Sequence, residues 1–229
     1  MGQDARGTEM SSDRPTILVV DDDASVRVAL SRLFTSVGYA VETFSGAAEF
    51  FDRAPRSAHG CIVLDVKMPV TSGIELQRQL GTAGFDTPVI FLSAHADVPL
   101  TVKAMRGGAL EVITKPFEED RLLDAVRNAI GQDQERHQQR TENEQLHQRL
   151  QTITSRERTV MSLVVTGMLN KQIAAALGIS EKTVKVHRAH VMAKMHASSL
   201  PDLVRMADRL GLVSDISVPV PDASDNPRA

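Results

Sequence analysis

Between Thr16 and Ile130, short apolar runs alternate with longer stretches whose apolar residues recur at helical spacing. The runs Thr16 to Val20, Ala40 to Phe44, Cys61 to Leu64, Pro88 to Leu92 and Leu110 to Ile113 have the length and aliphatic content of strands. Helical periodicity follows in Val26, Leu30, Leu33 and Val37, then in Ile74 to Leu80, Val98 to Met105 and Leu122 to Ile130. Strands separated by crossover helices form parallel βα units. Residues 15–130 are therefore predicted to be an α/β domain, a doubly wound five-stranded parallel sheet of order 2-1-3-4-5, with its ligands outside the carboxyl ends of the strands.

The pattern then changes. Residues 131–153 are dominated by Gln, Glu, Arg, His and Asn and read as a helical linker. Leu146, Leu150 and Ile153 have the spacing of a coiled-coil seam, with Asn143 at the preceding seam position; a solvated linker helix fits equally well. From Thr154 to residue 211 every signal is helical: Thr154 and Glu157 make a capping box, Gly167 and Gly178 punctuate, and Ser199 can cap a final helix. Four short helices are expected. Residues 1–14 and the Pro-, Asp- and Ser-rich tail 212–229 read as disordered.

Charge divides the chain at the same place. Residues 1–130 carry 13 Lys and Arg against 18 Asp and Glu, whereas residues 155–210 carry 9 against 4. An acidic half that can hold cations precedes a basic block that can meet a polyanion. No apolar run is long enough to span a bilayer, so a cytoplasmic protein without a membrane partner is expected. The single cysteine, Cys61, lies within an apolar run and reads as a small core residue.

Chemistry concentrates at the predicted strand ends. Asp21, Asp22 and Asp23 follow the first strand, Asp65 follows the third, Ser93 ends the fourth and Lys115 ends the fifth. In the order 2-1-3-4-5 these tips lie side by side, and carboxylates so crowded repel one another unless a cation sits among them. Mg²⁺ suits such a site, since it takes oxygen ligands and needs only one or two carboxylates. A lysine and a hydroxyl aimed at the same patch suit an arriving phosphoryl group, with Asp65 as the carboxylate nucleophile. Asp23 reads as the N-cap of the first helix.

In the basic block, Asn170 to Leu177, a turn at Gly178-Ile179 and Ser180 to Met195 have the form of a helix-turn-helix. On a helical wheel Val184, Val191 and Met195 share one face, and Lys182, Lys185, Val186 and Ala189 share the opposite one. Charge alone is equally consistent with a solvated basic face. Exposed Val186 between lysines favours a DNA major groove, where an apolar side chain meets thymine methyls and lysines reach guanine edges. Thr183, Lys171, His187, His190 and Lys194 are placed to touch the phosphate backbone, while Arg188 turns towards the packing face. His187 and His190 stand three apart, but no third metal ligand accompanies them.

Four blocks, Val19-Val20-Asp21-Asp22-Asp23, Leu64-Asp65-Val66-Lys67-Met68-Pro69, Phe91-Leu92-Ser93-Ala94 and Thr114-Lys115-Pro116-Phe117, resemble the signature of bacterial response-regulator receiver domains, which are flavodoxin-like. That resemblance implies phosphorylation of Asp65 by a sensor histidine kinase, Mg²⁺ held by Asp21, Asp22, Asp65 and the Lys67 carbonyl, and a cis Lys115-Pro116 peptide. Ser93 stands for the family's switch hydroxyl. Val112 stands where the family carries a switch aromatic, which puts the usual relay in doubt; Phe117 reads as a core residue rather than a substitute. Thr154-Ser155-Arg156-Glu157-Arg158, Asn170-Lys171-Gln172-Ile173-Ala174 and Ile179 to His187 resemble the LuxR-like four-helix DNA-binding domain, with Ile153 where a leucine is usual. Together the two halves resemble response regulators of the FixJ type. The implied function is that of a transcription factor rather than an enzyme, which dimerises when phosphorylated, binds promoter DNA and activates transcription with RNA polymerase. A regulator acting without phosphorylation is the main alternative. An aspartyl-phosphate phosphatase is a remote one, because the chain lacks a substrate cap.

Overall fold

The computed structural model describes residues 14–55, 59–94 and 98–212. The chain divides into two compact units, residues 1–138 and 139–229. The disorder expected at both ends falls outside the described residues except at Arg14 and Leu212.

In the first unit the strands β1 (Thr16–Val20), β2 (Ala40–Phe44), β3 (Gly60–Asp65), β4 (Val89–Ser93) and β5 (Glu111–Thr114) form one parallel sheet of order β2-β1-β3-β4-β5. Between and after them run α1 (Ala24–Ser36), α2 (Ala47–Arg53), α3 (Gly73–Thr82), α4 (Val98–Arg106) and α5 (Glu119–Gln151), the last of which begins in this unit and ends in the second. Successive strand side chains point to opposite faces. Leu18, Val20, Ile62 and Leu64 therefore enter one core with Phe44, Phe50, Leu76 and Leu80, and Ile17, Val19, Cys61 and Val63 enter a second core with Leu30, Phe34 and Val126. Both cores are shielded by helices, as an all-parallel sheet requires. Cys61 is fully buried, and burial pushes its thiol pKa up, which keeps it a packing residue.

The sequence pattern did not reveal α2. Its seven residues, Ala47 to Arg53, are too few to show a period, and it begins at Gly46, which offers no side-chain cap. Gly60, at the start of β3, has φ +146°, and a Cβ there would stand 1.9 Å from the Thr16 carbonyl oxygen. Only glycine lets β3 begin this close to β1.

The second unit contains α6 (Ser155–Val165), α7 (Asn170–Leu177), α8 (Glu181–Met195) and α9 (Leu200–Arg209). The Thr154/Glu157 capping box forms, and Ser180 and Ser199 cap α8 and α9 with their side chains. The core joins Val160, Met161, Val164, Ile173, Val184, Val191, Met195 and Leu203. Leu146, Leu150 and Ile153 are buried in this same core, and Asn143 accepts a hydrogen bond from Arg209 at 2.8 Å. Their apolar spacing thus serves packing within the chain, and these three positions are not solvated. Leu212, read as the first residue of the tail, packs against this core as well. Among the described residues, no helix is long and apolar enough to cross a membrane.

Candidate functional site

The strand register assembles the carboxylate site. Val20 pairs with Leu64, which brings Asp21 level with Asp65; Asp65 pairs with Leu92, and Ser93 pairs with Thr114. Asp21, Asp65, Ser93 and Lys115 therefore meet at one end of the sheet. Asp21 is 2% exposed, Asp65 7% and Ser93 1%, whereas Asp22 is exposed. The Lys115 Nζ donates to Asp21 Oδ2 at 2.8 Å and to Asp65 Oδ1 at 2.6 Å. The backbone positions both acids further: Asp23 N donates to Asp21 Oδ1 at 2.9 Å, and Lys67 N donates to Asp65 Oδ2 at 2.6 Å.

Burial raises the Asp65 pKa above the usual carboxylate range, even though Lys115 opposes the shift. Burial alone would lower the Lys115 pKa; its hydrogen bonds to Asp21 and Asp65 outweigh that effect and hold it above its ordinary value. The ammonium thus supplies the positive charge that two buried carboxylates require. Among the described residues, no three His, Cys, Asp or Glu side chains are gathered as a ready metal cluster.

Several neighbours complete the setting. Asp23 caps α1, accepting from Ser25 N at 2.8 Å. The Lys115-Pro116 peptide is cis. Gly73 begins α3 against the Asp65 carbonyl, where a Cβ would come within 2.2 Å of the oxygen, so α3 can start this near the site only with glycine. Val112 lies opposite Phe91 and packs against the core, as Phe117 does on the other face. Sequence reasoning overlooked Arg27. Its Nη1 donates to the carbonyls of Asp21 and Asp22 at 2.7 and 2.9 Å and so holds the acidic turn. Its place one turn after Asp23 was the available signal.

In the second unit, α7 and α8 are separated by Gly178, which adopts the left-handed conformation, and Ile179. On α8, Val184, Val191 and Met195 are buried; Lys182, Lys185 and Ala189 are exposed, Val186 is 46% exposed and Thr183 is half-buried. Lys171 is exposed near the start of α7. Two residues expected on the DNA backbone also have partners inside the unit. Lys194 Nζ donates to Glu157 Oε2 at 2.7 Å, and His190 Nδ1 lies 3.4 Å from Glu157 Oε1. Arg188 Nη1 donates to Asn170 Oδ1 at 2.7 Å, bridging α8 to α7. Lys182, Lys185 and Val186 on α8 and Lys171 on α7 are thus exposed to solvent.

A doubly wound sheet with this acid-lysine cluster, joined to a four-helix unit that exposes a basic helix, defines a two-domain signalling regulator. Residues 17–127 match the response regulator receiver domain, and residues 151–207 match the bacterial regulatory proteins of the luxR family. The chain belongs to the response regulators that carry a LuxR-type DNA-binding domain, and it is a transcription regulator. It is 43% identical over 206 residues to nodulation protein W of Bradyrhizobium diazoefficiens, covering 90% of this chain and 91% of that protein. It is 44% identical to response regulator protein TodT of Pseudomonas putida, covering 89% and 90%. Among solved structures it resembles response regulator StyR, with a TM-score of 0.79, 47% identity and coverage of 86% and 99%. Full-length FixJ from B. japonicum aligns with a TM-score of 0.54 at 40% identity, covering 86% and 98%.

Proposed function

We propose that Asp65 accepts a phosphoryl group from a sensor histidine kinase and that this modification controls DNA binding by α8. The observation that carries the reading is Lys115 bridging buried Asp21 and Asp65. An Asp65 oxygen attacks the phosphorus of the kinase's phosphohistidine, an O–P bond forms, the N–P bond breaks, and the imidazole leaves. Asp21, Asp22, Asp65 and the Lys67 carbonyl would hold Mg²⁺, a fit supported by the all-oxygen donor set. When bound, this ion neutralises charge on the transferred group. Lys115 exchanges one carboxylate for a phosphoryl oxygen, and Ser93 hydrogen-bonds another.

With Val in place of an aromatic at position 112, the relay runs through backbone movement around α4. Val98, Val102 and Met105 form an exposed apolar stripe at helical spacing on α4, which supports pairing of two phosphorylated copies through α4 and β5. A paired protein would read a two-fold promoter site with Lys182, Lys185, Val186 and Ala189, steadied by Thr183 and Lys171, and activate transcription with RNA polymerase. Intact-protein mass spectrometry after incubation with acetyl phosphate and Mg²⁺ tests the first step. The wild type gains one phosphoryl group and Asp65→Ala gains none; equal incorporation would refute the assignment.

A further inference from the structure

The cations of α8 divide into two sets. Lys182 and Lys185 are exposed. Arg188 and Lys194 each have a polar partner within the unit: Arg188 reaches Asn170 on α7, and Lys194 reaches Glu157 on α6. Glu157 is only 4% exposed, and its Oε2 also accepts from Thr154 N at 2.9 Å and Thr154 Oγ1 at 3.0 Å. A carboxylate so buried needs a cation, and Lys194 is the strongest influence on it. Arg188 is half-buried and lines a small cavity with Val160, Met161, Val164 and Val191, and its head is held by Asn170.

We propose that Arg188 and Lys194 are positioning residues, which fix α8 against α7 and α6 and contribute no phosphate contact, so that the helix's reach to DNA rests on Lys182 and Lys185. This rests on the reading of α8 as the DNA-binding helix. Its consequence is that the number of cations on α8 overstates its electrostatic footprint.

The two roles differ in salt dependence. Each phosphate contact adds about 0.9 to the slope of log affinity against log salt, whereas a positioning contact adds nothing to it. The test uses the full chain with acetyl phosphate and Mg²⁺ on a labelled mixed-sequence duplex, with binding followed by anisotropy across a salt series. Lys182→Ala and Lys185→Ala are expected to make the slope shallower by about 1 each. Arg188→Met and Lys194→Met are expected to keep the wild-type slope while lowering affinity on the order of tenfold. Glu157→Gln combined with Lys194→Met should recover affinity, because Gln preserves the capping box and removes the uncompensated charge. If Lys194→Met does not fold, as judged by far-ultraviolet circular dichroism, the double variant carries the test, with the wild-type slope expected. A slope shallower by about 1 in Arg188→Met, Lys194→Met or the double variant overturns the proposal. If Lys182→Ala and Lys185→Ala leave the slope unchanged, the groove assignment itself falls, and the proposal with it.

Discussion

Replacing Lys115 with Met removes the only cation hydrogen-bonded to both Asp21 and Asp65 among the described residues. At separations near 2.7 Å and an effective dielectric constant of about 20, each pair is worth roughly 6 kcal/mol of gross attraction, most of it offset by desolvation. Deleting one partner leaves the desolvation cost uncompensated. Breaking a buried pair in this way costs about 3 to 5 kcal/mol, and the lower figure applies because Lys115 keeps 24% of its side-chain surface. The sequence has one tyrosine, Tyr39, and no tryptophan, and Tyr39 packs against a receiver core. Tyrosine emission during urea unfolding therefore reports on that unit. Lys115→Met should lose about 3 kcal/mol at neutral pH without Mg²⁺. Without the ammonium, the Asp65 pKa, already raised by burial, rises further. A carboxyl whose folded-state pKa is raised is penalised above that pKa and relieved below it, so the deficit should shrink on acidification. Adding Mg²⁺ should also shrink it. A variant as stable as wild type at neutral pH and indifferent to Mg²⁺ would refute Lys115 as the counter-charge.

Two further outcomes concern the second unit. Leu150→Ala should destabilise it by about 2 to 5 kcal/mol while leaving the Tyr39 transition unchanged, measured by circular dichroism and emission on one urea series; a shifted Tyr39 transition would contradict its place in the core of the second unit. The Glu157 carboxyl is held at about 2 instead of 4.5, chiefly by the Lys194 hydrogen bond. This depressed pKa contributes stability that is present above about pH 4.5 and lost as pH falls towards 2, worth at most about 3 kcal/mol. Glu157→Gln should flatten the acid limb of a stability-against-pH profile, and an unchanged limb would contradict it.

Most of this molecule was legible in its sequence because its signals are local and redundant. Strand runs such as Thr16 to Val20 carry their own burial pattern, and caps such as Asp23, Thr154, Ser180 and Ser199 announce their helices. The acid-lysine cluster was legible because each of its residues ends a strand, so topology alone brings them together. What stayed hidden depends on distant partners. A heptad spacing at Leu146, Leu150 and Ile153 states that an apolar face exists but not that the core of the second unit takes it in. A lysine on a helix has the same sequence signal whether it stays exposed, as Lys185 does, or reaches a buried carboxylate, as Lys194 does. Arg27 and Asn170 likewise gain meaning only from the groups they touch.

The central claim is that the chemical state of Asp65 governs DNA binding. Its most direct test is the affinity of full-length wild type and Asp65→Ala for duplexes selected from a random pool, each with and without acetyl phosphate and Mg²⁺. Wild-type affinity should rise on the order of tenfold with the phosphodonor while Asp65→Ala stays at the unstimulated level. Equal binding by both proteins under both conditions would contradict the account.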